Sequence, residues 1–342
     1  MLKNLFIREN LKEKEVKKMK KILVLLLALS TIVTFGFAGK AMAVAFNFGD
    51  VFAAAGSGTV QHYSAAGTLL ETLNTGLGGY TTGMAFDAAQ NLYVTNFSAD
   101  SISRFNNTGA LLLPNPFVTN DSSGHNESIV FSNSGAFYVG QPDGTQDIIK
   151  RAADGSFVAR YDVAISGRGT DWIDLASDQT TMYYTGEGRI IKRYDVGLDA
   201  QLGDFATLPG SGNAFALRLL SGGGLLVADG GDIKRLDSSG NVIQTYDIAG
   251  ENTWFALNLN PDGTSFWSGN YGTGNLFEFD IATGTNTQTI GTGSSNLYGV
   301  AVFGEQTQGC PDCGGEVPEP ATLLLLGSGL IGVGFARKRF KK

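Results

Sequence analysis

The sequence predicts an all-β fold, a six-bladed β-propeller, on three observations. A unit of four short apolar runs recurs about every 43 residues across 50–305. The 47 glycines, the 17% of charged residues and the Gly/Asn/Asp/Ser breaks between runs fit short strands joined by tight turns. The repeat also begins and ends out of phase, in a way that lets the two ends complete one blade.

Residues 1–43 precede this body. From Met19 the chain reads Lys20-Lys21, an apolar run from Ile22 through Phe37, then Ala41-Met42-Ala43. A basic start, a short apolar stretch and a small-x-small site make a secretory signal peptide, with cleavage expected after Ala43. Thr31, Thr34, Gly36 and Gly39 dilute the run too far for a membrane anchor. Residues 1–18 are too long and too mixed in charge to belong to it. Lys14–Lys18 can be encoded by codons containing a ribosome-binding sequence, so Met19 is the expected start and 1–18 a translated leader.

The propeller is expected over 44–306. It opens with a second, third and fourth strand, Val51–Ala54, Thr59–Tyr63 and Thr68–Leu73. First strands follow at Met84–Phe86, Ile129–Phe131, Ile173–Leu175, Leu217–Leu219, Leu257–Leu259 and, alone at the end, Val300–Phe303. Second strands sit at Leu92–Val94, Phe137–Val139, Met182–Tyr184, Leu225–Val227 and Ser265–Trp267. Third strands carry a basic residue: Ile102–Phe105, Ile149–Arg151, Ile191–Tyr194 and Ile233–Leu236. Fourth strands follow glycine turns, as at Ser156–Tyr161 and Asn241–Tyr246. Val300–Phe303 joined to the three opening strands makes the sixth blade and leaves no open sheet edge.

A linker, 307–317, contains Cys310-Pro311-Asp312-Cys313. A lone CxxC is half a zinc site and has no βα context for redox work, so a small disulfide loop is expected in an exported protein. The end, 318–342, is Pro318-Glu319-Pro320, an apolar stretch Ala321–Ala336, then Arg337-Lys338-Arg339 and two further lysines. The apolar stretch is a little shorter than a free-standing span, and the basic cluster behind it favours the cytoplasmic side. These residues alone predict a C-terminal transmembrane helix that holds the body outside.

The order Pro-Glu-Pro, short apolar helix, basic cluster resembles the PEP-CTERM sorting tail. That resemblance implies recognition by an exosortase, a membrane transpeptidase-like protease that removes or exchanges the tail during export, in bacteria that make extracellular polysaccharide. In the body, Asn91–Asn96 and Gly83–Asp87 resemble NHL- and YVTN-type propeller repeats. Those families include scaffolds, surface-layer proteins, lactonases and lyases, so the likeness implies a fold and no single function.

Charge narrows the partners. Residues 44–317 hold 11 Lys/Arg and 28 Asp/Glu, a net charge of −17. Such a body repels phosphate backbones, which argues against nucleic acid, and it suits cations or neutral polysaccharide. His62 falls in the third-strand slot held elsewhere by Arg104, Arg151, Arg193 and Arg235, which makes it structural. His125 instead lies in a loop leading into a first strand.

In propellers the loops leading into first strands, and those after second strands, gather around one mouth of the central channel. Aligning the first set places Thr82, Glu127, Asp171, Phe215, Phe255 and Tyr298 at one equivalent position, acidic on one arc and aromatic on the other. Further along the first strands, Asp174, Arg218 and Asn258 replace the Ala or Val of other blades. One reading is structural: Asp174 pairs with Arg218, and the aromatic residues fill the channel rim. Two functional readings compete with it. Phe215, Trp254, Phe255 and Tyr298 stack on sugar rings while Glu127 and Asp171, with Asp174 and Arg218 beyond, supply polar contacts, giving a ligand- or glycan-binding mouth. Alternatively Glu127, Asp171 and Asp174, helped by Asn126 or Asn258, ligate Ca²⁺ for a lactonase, hydrolase or lyase. No catalytic triad or phosphate loop is recognisable. The expectation is an exported binding module of the cell envelope or extracellular matrix. Its partners are the export machinery, an exosortase, the membrane until processing, and extracellular polysaccharide or other envelope proteins.

Overall fold

The computed structural model describes residues 44–119 and 124–313. The expected leader and signal peptide, the end of the linker and the sorting tail lie outside the described residues. No helix among the described residues is long and apolar enough to cross a membrane.

Six antiparallel sheets follow one another along the chain. Blade 1 orders Gly299–Val302, Val51–Ala54, Thr59–Tyr63 and Leu69–Asn74 from the axis outwards. Blade 2 is Thr81–Phe86, Leu92–Asn96 and Ser101–Phe105. Blade 3 is Ser128–Phe131, Phe137–Gly140, Ile148–Arg151 and Phe157–Tyr161. Blade 4 begins Ile173–Leu175, Thr181–Tyr184 and Ile190–Asp195. Blade 5 is Leu217–Leu219, Leu225–Ala228, Ile233–Leu236 and Val242–Tyr246. Blade 6 is Trp254–Leu259, Ser265–Asn270, Asn275–Asp280 and Asn286–Gly291. Each first strand packs on the first strand of the next blade, and the last returns to blade 1, which closes the ring. The closing pairs are Val51 with Val302 and Ala54 with Gly299.

Two outermost strands depart from the pattern. In blade 2 only isolated bridges, Ile102 to Val118 and Phe105 to Leu111, stand at the outer edge. Pro114 and Pro116 lie between them and have no N–H to give a ladder. In blade 4 the outer edge is two short pieces, Ala200–Gln201 and Ala206–Thr207, both paired to the third strand.

The strand registers show why the sequence repeats as it does. Ala301, Ala85, Val130, Asp174, Arg218 and Asn258 pair respectively with Phe52, Tyr93, Tyr138, Tyr183, Leu226 and Trp267 on the second strands. Those in turn pair with His62, Arg104, Lys150, Arg193, Arg235 and Glu278 on the third. Blades 2 and 3 therefore have a radial row from apolar to aromatic to cationic, while blade 5 replaces the aromatic by Leu226 and blade 6 ends on the anionic Glu278. The Arg104 guanidinium lies 5.6 Å from the Tyr93 ring, and Lys150 lies 5.2 Å from Tyr138. Each such pair adds about 0.5–1 kcal/mol at a partly exposed site. His62 fills the same place, stacked 4.4 Å over Phe52 and fully buried between Asp50 and Glu71. It is structural as expected, but the slot-holder in blade 3 is Lys150, because Arg151 pairs with Phe137 and faces the other way.

The ring has a mouth and a floor. First strands start at the mouth and end at the floor, where residues 305–313 fold back across the channel. Gly309 lies against Phe131 and Leu175 and accepts from the Gln179 amide at 2.9 Å, while Gln308 donates to the Leu220 carbonyl. Cys310 and Cys313 form a disulfide and are buried beside Ile129, Phe131 and Phe137. The expected disulfide loop is present, and it belongs to the packed floor rather than to a free linker.

Candidate functional site

Each mouth residue stands three positions before the row residue of its first strand, which places Thr82, Glu127, Asp171, Phe215, Phe255 and Tyr298 on one ring. Glycine lets the strands crowd together there. A Cβ on Gly83 would collide with the Glu127 carbonyl, and one on Gly299 with the Thr82 carbonyl. In their absence the Gly83 N–H donates to that Glu127 carbonyl at 2.6 Å, and the Thr82 hydroxyl donates to it at 2.9 Å.

On one arc, Glu127 and Asp171 are buried side by side, at 3% and 0% exposure. Glu127 Oε2 and both Asp171 carboxyl oxygens have no hydrogen-bond donor among the described residues. Burial first, and then the negative charge of Asp171, hold the Glu127 carboxyl well above the usual carboxylate range. Burial pushes Asp171 up to about 7. A proton shared within the pair is the relief available to it.

The charged groups on the rim beside this pair are engaged with one another. Arg168 donates through Nε and Nη2 to Asp143 at 3.0 and 2.6 Å, and through Nη1 to Glu187 at 3.0 Å. These bonds hold the Asp143 carboxyl below its ordinary range. His125 Nδ1 lies 2.9 Å from Asp143 Oδ2, and its ring stacks on Phe97 at 4.6 Å. The Arg168 guanidinium sits 5.6 Å from the same Phe97 ring.

The other arc is aromatic. Phe255 packs on Phe215 at 4.7 Å and on Tyr298 at 5.6 Å. Tyr298 stacks on Tyr271 at 5.8 Å and meets Tyr80 edge-on at 5.2 Å. Between the arcs lies a cavity of about 190 Å³ lined by Tyr80, Thr82, Phe97, Glu127, Arg168, Phe255 and Tyr298.

The remaining predicted site residues lie elsewhere. Trp254 is fully buried against Phe277 and Phe279, with its indole N–H directed at Asp247, and is therefore a core residue. Asp174 accepts from the backbone N–H groups of Leu175 and Leu219 at 3.0 and 2.8 Å, tying blade 4 to blade 5. Arg218 donates to Glu305 at 3.1 Å, and Asn258 and the Leu259 N–H donate to the same carboxylate at 2.5 and 2.7 Å. Burial pushes Glu305 up to about 7 against the pull of Arg218. The structure thus joins Glu127 to Asp171 but not to Asp174. No three His, Cys, Asp or Glu side chains among the described residues gather as a metal site. The donor set expected for Ca²⁺ is not assembled, because Asp174 is engaged by backbone donors further along the strand.

Arg168, Phe97, Tyr80, Asp143, Glu187 and Glu305 were not anticipated. The signal for three of them was within reach. Phe97, Asp143 and Glu187 all follow second strands, so aligning that second set of mouth loops would have found them.

Fold and site together define a closed six-bladed propeller with a ligand-sized mouth, and the comparisons agree on the fold. A crystal structure of a nidogen/laminin complex aligns with a TM-score of 0.58 at 15% identity, covering 75% of this chain and 99% of that one. The WD40 β-propeller domain of Doa1 aligns with a TM-score of 0.57 at 17% identity, covering 75% and 83%. Residues 316–339 match the PEP-CTERM protein-sorting motif, so the chain is a β-propeller carrying an exosortase-type sorting signal, which marks export to the cell envelope or outer surface. A comparison with curated protein sequences finds no match.

Proposed function

We propose that this protein is an exported cell-envelope or matrix module that binds a saccharide in the channel mouth. The observation that carries this reading is one cavity with an aromatic wall of Tyr80, Phe255 and Tyr298 on one side and Glu127 with Arg168 on the other. A pyranose has matching sides: an apolar C–H face for Tyr298 and Phe255, and a hydroxyl edge for Glu127, which Asp171 backs from beneath. The acidic body favours neutral or cationic saccharide over anionic polymer. For the calcium-enzyme alternative, no third His, Cys, Asp or Glu among the described residues joins this pair as a ligand.

The test is calorimetric titration of the purified full chain with a panel of oligosaccharides, repeated on Tyr298→Ala. At least one saccharide is expected to bind. The variant should lose roughly threefold to tenfold in affinity, the worth of one aromatic face. Absence of any saccharide binding, or full affinity in the variant, would sink the reading.

A further inference from the structure

We propose that the groove between blades 6 and 1, at the floor end of the ring, is a second binding site. Its occupant is a basic side chain, arginine or lysine, presented by a partner polypeptide. The site is separate from the mouth and does not depend on a saccharide binding there.

The argument begins with the repeat. The outer residue of the radial row is Arg104, Lys150, Arg193 and Arg235 in blades 2 to 5, and the buried His62 in blade 1. Arg104, Lys150 and Arg193 lie 5.6, 5.2 and 6.0 Å from the tyrosine ring of their own row, and His62 stacks on Phe52. Blade 6 breaks this rule. Its row ring is Trp267, the ring that attracts cations best, and the residue beside it is the acid Glu278. The repeat therefore has a place for a cation here and supplies an anion instead.

Nothing nearby makes up the charge. All 11 Lys/Arg of residues 44–317 fall between Arg104 and Arg235, so blades 6 and 1 contain none. Among the described residues Glu278 accepts from uncharged donors: Asn260 and Ser265 on Oε1 at 2.5 and 3.1 Å, and Thr287 on Oε2 at 2.7 Å. A carboxylate has about four acceptor sites, so these bonds orient Glu278 and leave it room for a further donor.

The position is also hollow. A groove of about 300 Å³ opens there, with Phe48, Asn260, Asp262, Trp267 and Glu278 among its walls. Asn260 and Asp262 follow the first strand of blade 6 and Phe48 precedes the second strand of blade 1, which sets the groove at the floor end. Gly304 makes room for one wall, since a Cβ on it would collide with Phe48, which packs on Phe303 at 5.5 Å. A basic side chain matches each part. Its methylene stem packs along the apolar wall, and its charged head meets the rings and the Glu278 and Asp262 carboxylates. A hard metal ion needs more oxygen ligands, and no three His, Cys, Asp or Glu side chains gather among the described residues. Because the repeat elsewhere fills this place with a side chain reaching from a strand, the form that fits is a side chain on a polypeptide rather than a free ion.

The test follows the Trp267 indole N–H signal by NMR on the full chain, identified by its loss in Trp267→Phe. Four probes are titrated: the N-acetyl amides of arginine, lysine and citrulline, and free arginine. Citrulline is the uncharged isostere of arginine. At least one of the two cationic amides is expected to shift the signal saturably, bind at least about tenfold more tightly than the citrulline amide, and weaken as salt is raised. Equal binding of the citrulline amide, or no shift with either cationic amide, overturns the site. Free arginine binding more tightly than its amide overturns the polypeptide source. Glu278→Arg returns the repeat's own cation to the groove and should abolish binding, and binding that persists in it would also overturn the proposal. The citrulline comparison in the unmutated protein decides the point without relying on how any variant folds.

Discussion

Mouth and floor of the same channel each bury two carboxyl groups, and they treat them in opposite ways. At the floor, Asp174 accepts from two backbone N–H groups, and Glu305 accepts from Arg218, Asn258 and Leu259. At the mouth, Glu127 and Asp171 stand beside each other, and Glu127 Oε2 and both Asp171 oxygens meet no donor from the other described residues, although Arg168 is close enough for its charge to be felt. A satisfied buried carboxylate fixes strands in place, and the floor pair does this for blades 4, 5 and 6. An unsatisfied one raises the energy of the folded chain and persists where something outside the chain relieves it. The contrast separates scaffold from site more sharply than burial alone, since all four groups are buried.

The largest effect should come from removing the cation at the floor. Arg218→Met leaves Glu305 buried without its partner and should cost about 3–5 kcal/mol of stability, read from urea unfolding. A cost near zero would mean the floor is no more structural than the mouth. The opposite sign is expected above. As pH rises from the ordinary carboxylate value of about 4 towards the value of about 7 held by Asp171, the unfolded chain releases protons that the folded pair retains, and stability falls. Asp171→Asn removes that penalty. It should stabilise the protein by at most about 4 kcal/mol above pH 7, and lessen the fall of Tm with pH between those limits, to which Glu127 and Glu305 also contribute. A loss of stability at pH 7 in this variant would place the mouth pair with the floor pair. The smallest effect belongs to the disulfide. Its loop is short, so replacing Cys310 and Cys313 by Ser should cost about 2 kcal/mol and leave mouth binding unchanged.

Much of this architecture was legible in the sequence because a propeller writes its repeat openly. The six blades, the shared closing blade and the equivalence of Thr82, Glu127, Asp171, Phe215, Phe255 and Tyr298 all follow from spacing. What spacing resolves poorly is which of two adjacent residues faces inwards. Trp254 and Phe255 are neighbours on one strand and point to opposite sides, so only one of them reaches the mouth. Lys150 and Arg151 pose the same choice, and only the pairing register decides it. Glu305 was out of reach for another reason. It stands just past the last repeat, where no equivalent position exists to mark it as unusual.

The floor segment also separates what the ring needs from what the sorting motif needs. Cys313 is fastened to the underside of the ring, and the sorting motif begins at residue 316. The strand that locks the ring, Gly299–Val302, lies wholly upstream of that motif. Cutting within that motif therefore removes none of the blade strands and opens no sheet edge, so the ring is the same object before and after, like a stoppered cup whose label has been peeled away.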